Sequence, residues 1–147
     1  MPSDPPGTAA DAAVPLHSQD TQATDDARIA LTLVTGPGAQ AREAAIAACV
    51  ANSHHEGAPA IILEGLASGI SPLDDLSQGF PLARIAPGCL CCTGNLVLRV
   101  TLNRLLRQRP RRIFISVADS AHLDQLRSWL QSEPYDQLLR LTSDLKA

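Results

Sequence analysis

Continuous apolar runs alternate along the chain with segments of helical periodicity, and this alternation limits the fold more than any other feature of the sequence. A strand that is apolar on both sides must be covered on both sides, which is typical of parallel sheets in α/β proteins. The alternation therefore predicts an α/β domain of three layers, with a mostly parallel sheet between helices. The predicted strands cover residues 28–35, 58–65, 80–88 and 111–119, with a fifth beginning within 135–147, and the predicted helices cover 41–57, 93–110 and 120–134.

The first 27 residues differ in character from the rest of the chain. They are rich in Pro, Ala, Asp, Ser and Thr, contain five aspartates and no Lys or Arg, and show no hydrophobic period. Segments of this kind do not bury enough apolar surface to fold. We therefore predict a disordered acidic tail at 1–27 and one domain at 28–147, a length that can bury a core without disulfide bonds.

The arginines are concentrated in one part of the sequence. Six of the 12 basic residues are arginines between positions 99 and 112. This cluster is consistent with a solvated helix face next to a basic turn, or with a surface for an anion or an acidic partner. Aromatic residues make up only 3% of the chain and are not interleaved with these arginines, so the sequence does not favour nucleic-acid binding.

No segment has the length and apolarity of a membrane span, and the N-terminus lacks the charged and apolar regions of a secretory signal. Three of the four cysteines fall within positions 89–92. Thiols spaced this closely, in a chain without an export signal, indicate a reducing compartment where cysteines serve metal or redox chemistry. We therefore expect a cytoplasmic protein that does not bind membranes.

The stretch "GPGAQARE", residues 36–43, follows the first predicted strand and opens the first predicted helix, which is the position of a phosphate-binding loop. The phosphate-loop pattern requires a glycine, a lysine and a hydroxyl at the places that Ala41, Arg42 and Glu43 occupy here. Because Glu43 puts a negative charge where Mg²⁺ and phosphates would bind, we expect Arg42 and Glu43 to neutralise each other. Gly36, Gly38 and Arg42 then form either an ordinary turn or a residual site for a nucleotide or another anion.

The thiol cluster follows the third predicted strand and precedes a helix, with thiols at Cys89, Cys91 and Cys92. Unpaired N–H groups at a helix N-terminus stabilise thiolates, and thiolates favour soft ions such as Zn²⁺ or Cu(I). The cluster is consistent with a metal site, with a redox-active pair, or with small turn residues that carry no chemistry. Cys49 lies among apolar residues of a predicted helix, and we interpret it as a core thiol.

A tetrahedral zinc site needs a fourth ligand besides three thiolates. Glu64, at the carboxyl end of the second predicted strand, is the nearest candidate by topology, because ligands bind at that edge of a parallel sheet. His122, early in the helix after the fourth strand, is a lesser candidate at the same edge. His54 and His55 end a helix that runs to the opposite edge, so we interpret them as surface residues.

The order of these parts, with "GCLCC" followed by "TGNLVLRVTLNRLL" and then "RRIFIS", resembles the CobW branch of the CobW/HypB/UreG class of P-loop GTPases over about residues 28–145. The resemblance implies a P-loop-NTPase-like fold and a role in GTP-dependent insertion or trafficking of metals, zinc and cobalt among them. It also implies that Cys89, Cys91 and Cys92 bind the metal. Glu64 matches the acidic position of the family's Asn-Glu-Phe-Gly segment.

The resemblance is incomplete where the family binds and hydrolyses GTP. The lysine and threonine of the family's phosphate loop correspond to Arg42 and Glu43, and its Glu-Thr-Thr-Gly pattern corresponds to "SVAD", with Ser116 and Asp119. The guanine-reading Asn-Lys-x-Asp motif and the family's C-terminal domain have no counterpart within the 147 residues. Phosphoryl transfer depends on positioning and charge neutralisation, so we expect impaired or absent hydrolysis, no catalytic residue, and no efficient use of GTP with Mg²⁺.

The sequence thus predicts a metal-binding CobW-like protein, with Zn²⁺ or another soft divalent ion as the expected metal and metal handling as its role. Two alternatives stay open at this point: a weak GTPase metallochaperone domain that needs a partner, and a protein–protein interaction module with incidental thiols. The expected partners are the metal ion and a client metalloprotein or a full-length member of the family. A homodimer is also consistent with a thiol cluster at a sheet edge.

Overall fold

The structure is a computed structural model that describes residues 3, 27–53, 56–67, 69–88 and 96–147. Its strands are β1 (Ile29–Thr35), β2 (Pro59–Glu64), β3 (Leu82–Ile85), β4 (Arg112–Ser116), β5 (Leu139–Leu141) and β6 (Leu145–Lys146). Its helices are α1 (Ala39–Asn52), α2 (Leu96–Leu106), α3 (Leu123–Leu130) and the short α4 (Tyr135–Leu138).

The six strands form one sheet in the order β3-β2-β4-β1-β5, and β6 also pairs with β1. All the pairs run parallel, which confirms the predicted α/β class. The region expected to begin a fifth strand contains two short strands. Residues 139–141 pair with the start of β1, and residues 145–146 pair with its end.

Successive residues of each strand point to opposite sides of the sheet, so strands that are apolar throughout need cover on both sides. Helices provide this cover on each face. One face packs against α2 and α3 and contributes Leu31, Ile62 and Ile113 to the larger core cluster. The other face packs against α1 and contributes Ile61 and Phe114 to the smaller cluster. The result is the predicted arrangement of three layers, with the sheet between helices.

The predicted apolar faces of α2 and α3 are confirmed. In α2, Leu98, Leu102 and Leu105 are fully buried in the larger core cluster, and Leu106 packs against it. Spacings of three and four residues place these leucines on one side of the helix. In α3 the inward residues are buried in that cluster or packed against it, and they are Leu123, Leu126, Trp129 and Leu130.

Because all the strands run in the same direction, the two edges of the sheet differ in chemistry. We call the edge where the strands end the carboxyl edge, and it includes Gly36, Glu64 and Val117. We call the edge where the strands begin the amino edge, and it includes Arg28 and Arg111. Ligands in such sheets bind at the carboxyl edge, and both the loop after β1 and the loop after β3 lie there.

Some sequence predictions concern residues outside the described part of the chain. Of the tail predicted at 1–27, only Ser3 and Ala27 are described, and His54 and His55 are not. These predictions stay predictions. Among the helices that the structure describes, none combines the length and the apolarity that crossing a bilayer would require.

Candidate functional site

Glu64, the last residue of β2, links two loops at the carboxyl edge. The residue is buried, with 4% of its surface exposed. Its Oε1 accepts a hydrogen bond from the Gly88 N–H at 2.8 Å, and its Oε2 accepts one from the Ala118 N–H at 2.6 Å. Hydrogen bonds to an ionised carboxylate are roughly twice as strong as those between neutral groups. One side chain therefore holds the loop after β3 and the loop after β4 in fixed positions.

A cavity of about 200 Å³ lies beside Glu64. Gly88 lines it from the loop after β3, and Asp119 and His122 line it from the segment that follows β4. Asp119 accepts a hydrogen bond from the Ala121 N–H at 2.8 Å and so fixes the short turn that leads to His122. The His122 side chain is exposed. The cavity thus places a carboxylate and an accessible imidazole at the same edge.

The predicted thiol ligands Cys89, Cys91 and Cys92 lie outside the described residues. Gly88 is described, and its N–H is held by Glu64, so the thiol segment begins one residue beyond an anchored position. Within the described part of the chain, no three His, Cys, Asp or Glu side chains are grouped so that they could hold a metal ion. The metal-binding role of Glu64 and of the three cysteines stays a prediction.

Arg42, in the first turns of α1, directs its guanidinium into the protein. The residue is 3% exposed. Its Nε donates to Ser116 Oγ at 2.8 Å, and its two terminal nitrogens donate to the carbonyl oxygens of Gly36 at 3.1 Å and Glu64 at 3.4 Å. These three acceptors belong to the ends of β4, β1 and β2. The side chain therefore joins three strand ends, in the position where the resemblance places a phosphate-binding lysine.

The turn after β1 contains two glycines, and the packing requires a glycine at Gly36 but not at Gly38. A Cβ on Gly36 would lie 2.7 Å from the Ala147 Cβ, because the Ala147 N–H donates to the Thr35 carbonyl at 2.8 Å and holds that residue against the turn. Gly38 precedes α1 in an extended conformation, and a Cβ there would meet no atom within 4 Å. The space beside Gly36 is therefore occupied by the chain itself.

The direct ion pair of Glu43 is with Arg84 of β3, and Arg42, the expected partner, acts on Glu43 only through its charge. The Arg84 guanidinium donates to Glu43 Oε1 at 2.8 Å and to Oε2 at 3.3 Å, and the Ser71 hydroxyl also donates to Oε2. The pairing differs from the prediction because the Arg42 guanidinium is directed to the strand ends, whereas Arg84 of β3 reaches Glu43.

The pKa of the Glu43 carboxyl reflects this environment. Burial by itself raises the pKa, but the hydrogen bonds from Arg84 and Ser71 and the charges of Arg84 and Arg42 hold it below its ordinary value of 4.5. Glu43 is therefore ionised at neutral pH, and its charge is balanced within the protein. The same pairing raises the pKa of the Arg84 guanidinium above its ordinary value, because the hydrogen bond to Glu43 favours the charged form.

Sequence reasoning did not single out Arg84 or Ser71. Arg84 lies in the middle of the otherwise apolar segment "LARI", and a charged residue inside a short strand is a signal that could have found it. Ser71 lies in a long polar connection, where a serine carries no such signal. Cys49 matches its interpretation as a core thiol, because it is half-buried and packs against the smaller core cluster.

The fold and this edge define the class of protein only as a parallel α/β domain with buried charged residues at the carboxyl edge of its sheet. No protein-family model matches the chain, and no solved structure matches it. A segment of 69 residues is 35% identical to the zinc chaperone YeiR of Escherichia coli strain K12, and it covers 46% of this chain. The same segment is 21% of that protein, so the chain matches about a fifth of the relative's length.

Proposed function

We propose that this chain binds a zinc ion through Cys89, Cys91 and Cys92 and acts in metal handling, with little or no hydrolysis of GTP. The observation that carries the proposal is the hydrogen bond from the Gly88 N–H to Glu64, beside a cavity that His122 also lines. It fixes Gly88, the residue that precedes Cys89 in the sequence, next to two further groups of the kind that bind zinc. The similarity to a zinc chaperone supports the same choice of ion.

The donor set suits zinc. Three thiolates and one nitrogen or oxygen ligand make a tetrahedral site of a common type. A carboxylate has about four lone-pair positions, so Glu64 could keep its backbone hydrogen bonds and still bind an ion. His122 offers an imidazole at the same cavity. Because thiols must lose protons before they bind, zinc affinity should rise with pH.

The contacts of the loop after β1 support the proposal that the chain hydrolyses little or no GTP. The Arg42 guanidinium is bound by three acceptors of the protein, and the Glu43 carboxylate is bound by Arg84. Ala147 fills the space beside Gly36. A phosphate group in this loop would have to displace Arg42 or Ala147 and would meet the negative charge of Glu43. These contacts favour a stable turn over a phosphate cradle.

We further propose that the chain is a relative of the CobW/HypB/UreG class and works in the cytoplasm. Its partners would then be a client metalloprotein or a full-length member of that class. Leu96, Val97 and Val100, which lie four to eight residues after Cys92, are exposed at 68%, 48% and 60%. Exposed apolar groups at this place fit a contact surface for such a client.

Native mass spectrometry of the reduced full chain with Zn²⁺, with and without GTP, tests the proposal. We expect one zinc ion per chain and no bound nucleotide. The double variant Cys91→Ser/Cys92→Ser should lose the ion, whereas Cys49→Ser, which removes a thiol from the core, should keep it. Of Glu64→Gln and His122→Ala, the variant that removes the fourth ligand should weaken zinc binding by about tenfold or more.

One outcome would contradict the proposed metal site, and a different outcome would contradict the proposed lack of GTP hydrolysis. A reduced, folded chain that stays metal-free in micromolar zinc contradicts the metal site. Binding of GTP with Mg²⁺ at better than about millimolar affinity, or measurable GTP hydrolysis, contradicts the claim that the loop after β1 does not serve a nucleotide and favours the GTPase alternative. Two chains sharing one ion would support the homodimer.

A further inference from the structure

The solvent side of α2 combines apolar and basic side chains. The first half of the helix exposes Leu96, Val97 and Val100, and the second half exposes Arg104 and Arg107. With 3.6 residues per turn, these five positions lie within about 100° of one another around the helix axis, on the side opposite the buried leucines. We call this surface the α2 face. It is apolar near the start of the helix and basic near its end.

The α2 face has no acidic residue of its own. The helix, Leu96–Leu106, contains no Asp or Glu. Within the described part of the chain, neither Arg104 nor Arg107 forms an ion pair. Contiguous exposed apolar side chains with a polar rim are typical of interaction surfaces. The α2 face therefore suits a partner that carries apolar side chains and negative charge together.

The chain itself contains a segment of this composition. We call residues 4–26, which lie outside the described part of the chain, the acidic segment. It contains five aspartates and no Lys or Arg, and its large apolar side chains are Val14 and Leu16. Counted back from Ala27, three aspartates come first, the last of them Asp20, and the two apolar residues come next. The acidic segment thus offers both kinds of group that the α2 face lacks a partner for.

The acidic segment joins the domain next to the end of α2. Ala27, the residue that follows the segment, lines the same cavity as Leu106 and Arg109. The 11 residues of α2 extend over about 16 Å. Leu16 lies 11 residues before Ala27, and an extended chain of that length spans up to about 36 Å. The acidic segment can therefore reach the whole α2 face from its point of attachment.

We propose that the acidic segment folds back along α2 of the same chain and covers the α2 face. Asp20 then lies near Arg104 and Arg107, and Leu16 lies near Val100. The order of the groups supports this arrangement, because charged residues come before apolar ones on both partners when each is followed away from Ala27. Attachment to the same chain raises the effective concentration of the segment to about the millimolar range, so individually weak contacts suffice.

A second copy of the domain fits the α2 face less well than the acidic segment does. Two α2 faces packed in the same direction bring arginines against arginines, and two packed in opposite directions bring arginines against apolar side chains. The inference requires neither a bound metal nor a client, so its failure would leave the proposed function unaffected. If both hold, the acidic segment and the client compete for Leu96, Val97 and Val100.

Backbone order parameters from ¹⁵N relaxation of the reduced full chain, at low salt and without added metal, test the proposal. We expect the amides of Leu16 and Asp20 to have order parameters of about 0.6 or more, above the range of a flexible backbone. The double variant Arg104→Gln/Arg107→Gln should lower both values to about 0.4. Salt at about 0.5 M should also lower them, because ions screen the attraction. Val100→Ser should lower the value at Leu16, because it removes an apolar contact.

Two further variants separate a contact with the α2 face from general effects. Arg99→Gln removes the same charge from the side of α2 where Arg99 acts on Tyr135, and it should leave the order parameters unchanged. Arg104→Glu/Arg107→Glu should release the segment, and adding Asp11→Lys/Asp20→Lys should restore its order, a recovery that loss of folding cannot produce.

Three results would overturn the proposal. The first is order parameters below about 0.6 at Leu16 and Asp20 in the parent chain at low salt. The second is order that Arg104→Gln/Arg107→Gln leaves unchanged or that the exchange of charges fails to restore. The third is order that appears only as the protein concentration is raised, since this would assign the α2 face to a second copy of the chain.

Discussion

The two edges of the sheet use charged residues in opposite ways. At the carboxyl edge, Arg42, Glu43 and Glu64 are almost fully buried, and each is bound by partners from other strands or loops. At the amino edge, five of the described arginines line a cavity together with Glu56, and their side chains are partly or fully exposed. A buried charge is tolerated only when it is paired or hydrogen-bonded. The carboxyl edge therefore depends on its buried charges for stability, whereas the amino edge carries its charges at the surface.

The contrast matters because binding sites in parallel α/β sheets usually lie at the carboxyl edge. The loop after β1 is the usual position of a phosphate-binding loop, but in this chain Arg42 and Ala147 occupy the space beside Gly36. Glu64 at the same edge holds Gly88, the residue that precedes the three thiols in the sequence.

The largest effect should come from removing a buried charge at the carboxyl edge. Arg42→Ala leaves Ser116 Oγ and two carbonyl oxygens without their donor and creates a cavity, so we expect the free energy of unfolding to fall by about 3 kcal/mol or more. Urea denaturation monitored by circular dichroism measures this. The same substitution at the amino edge, Arg109→Ala, should cost about 0.5 kcal/mol or less. Equal losses of unfolding free energy for Arg42→Ala and Arg109→Ala would contradict the claim that charges at the two edges contribute differently to stability.

The second effect concerns the Glu43–Arg84 pair. Glu43→Gln should lower the free energy of unfolding by about 2 kcal/mol at neutral pH, because it leaves Arg84 without its carboxylate. The pKa of Glu43 is lowered in the folded state, so the ionised carboxylate stabilises the protein above its ordinary value of 4.5, and this contribution is lost as pH falls through the lower, folded value.

The pH dependence of that variant gives the measurement. The difference in unfolding free energy between the parent chain and Glu43→Gln should shrink between about pH 6 and pH 3. Glu133→Gln, at an exposed position, is the matched control, and its effect should be about 0.5 kcal/mol or less at every pH. A difference for Glu43→Gln that grows on acidification would show that the carboxylate is not stabilised by Arg84.

A matched substitution at the two edges gives a smaller effect. Glu64→Gln leaves a single carbonyl oxygen for the two backbone N–H groups and places an amide donor against one of them, so the free energy of unfolding should fall by about 1.5 kcal/mol. Glu56→Gln at the amino edge changes a side chain that is 63% exposed and should cost about 0.5 kcal/mol or less. Chemical denaturation of both variants decides whether the two glutamates differ in this way.

The smallest effect should be a gain in stability. Arg109→Gly removes a side chain from a position with φ 50°, and we expect the free energy of unfolding to rise by about 0.7 kcal/mol. Urea denaturation of the variant measures this gain. A loss of stability instead would show that the Arg109 side chain contributes to the end of α2.

The layered fold could be predicted from the sequence because its signals are local. Apolar strands such as β2, which is buried at every residue, and the leucines on one side of α2 require cover whatever their neighbours are. The position of Glu64 at the carboxyl edge followed from the direction of β2 alone. These inferences need only the chain order and the periodicity of each element.

The partners of the charges could not be predicted, since they depend on how distant segments meet. Arg42 and Glu43 are adjacent in sequence, yet one is bound at the strand ends and the other at β3, where Arg84 lies 41 residues further along. Likewise, Ala147 approaches Gly36 only because β6 pairs with the end of β1. The cavity at the amino edge is lined by residues from several separate segments, and no local pattern marks them as neighbours.

The carboxylate of Glu64 also has a kinetic consequence. It accepts hydrogen bonds from the Gly88 and Ala118 N–H groups at the same time. Movement of either loop away from Glu64 should therefore weaken the hydrogen bond that holds the other loop. The two amides should therefore exchange with deuterium at linked rates, and both should exchange faster when Glu64 is replaced by glutamine. A ligand that settles on the segment after Gly88 would then slow the exchange of an amide 30 residues away, at Ala118.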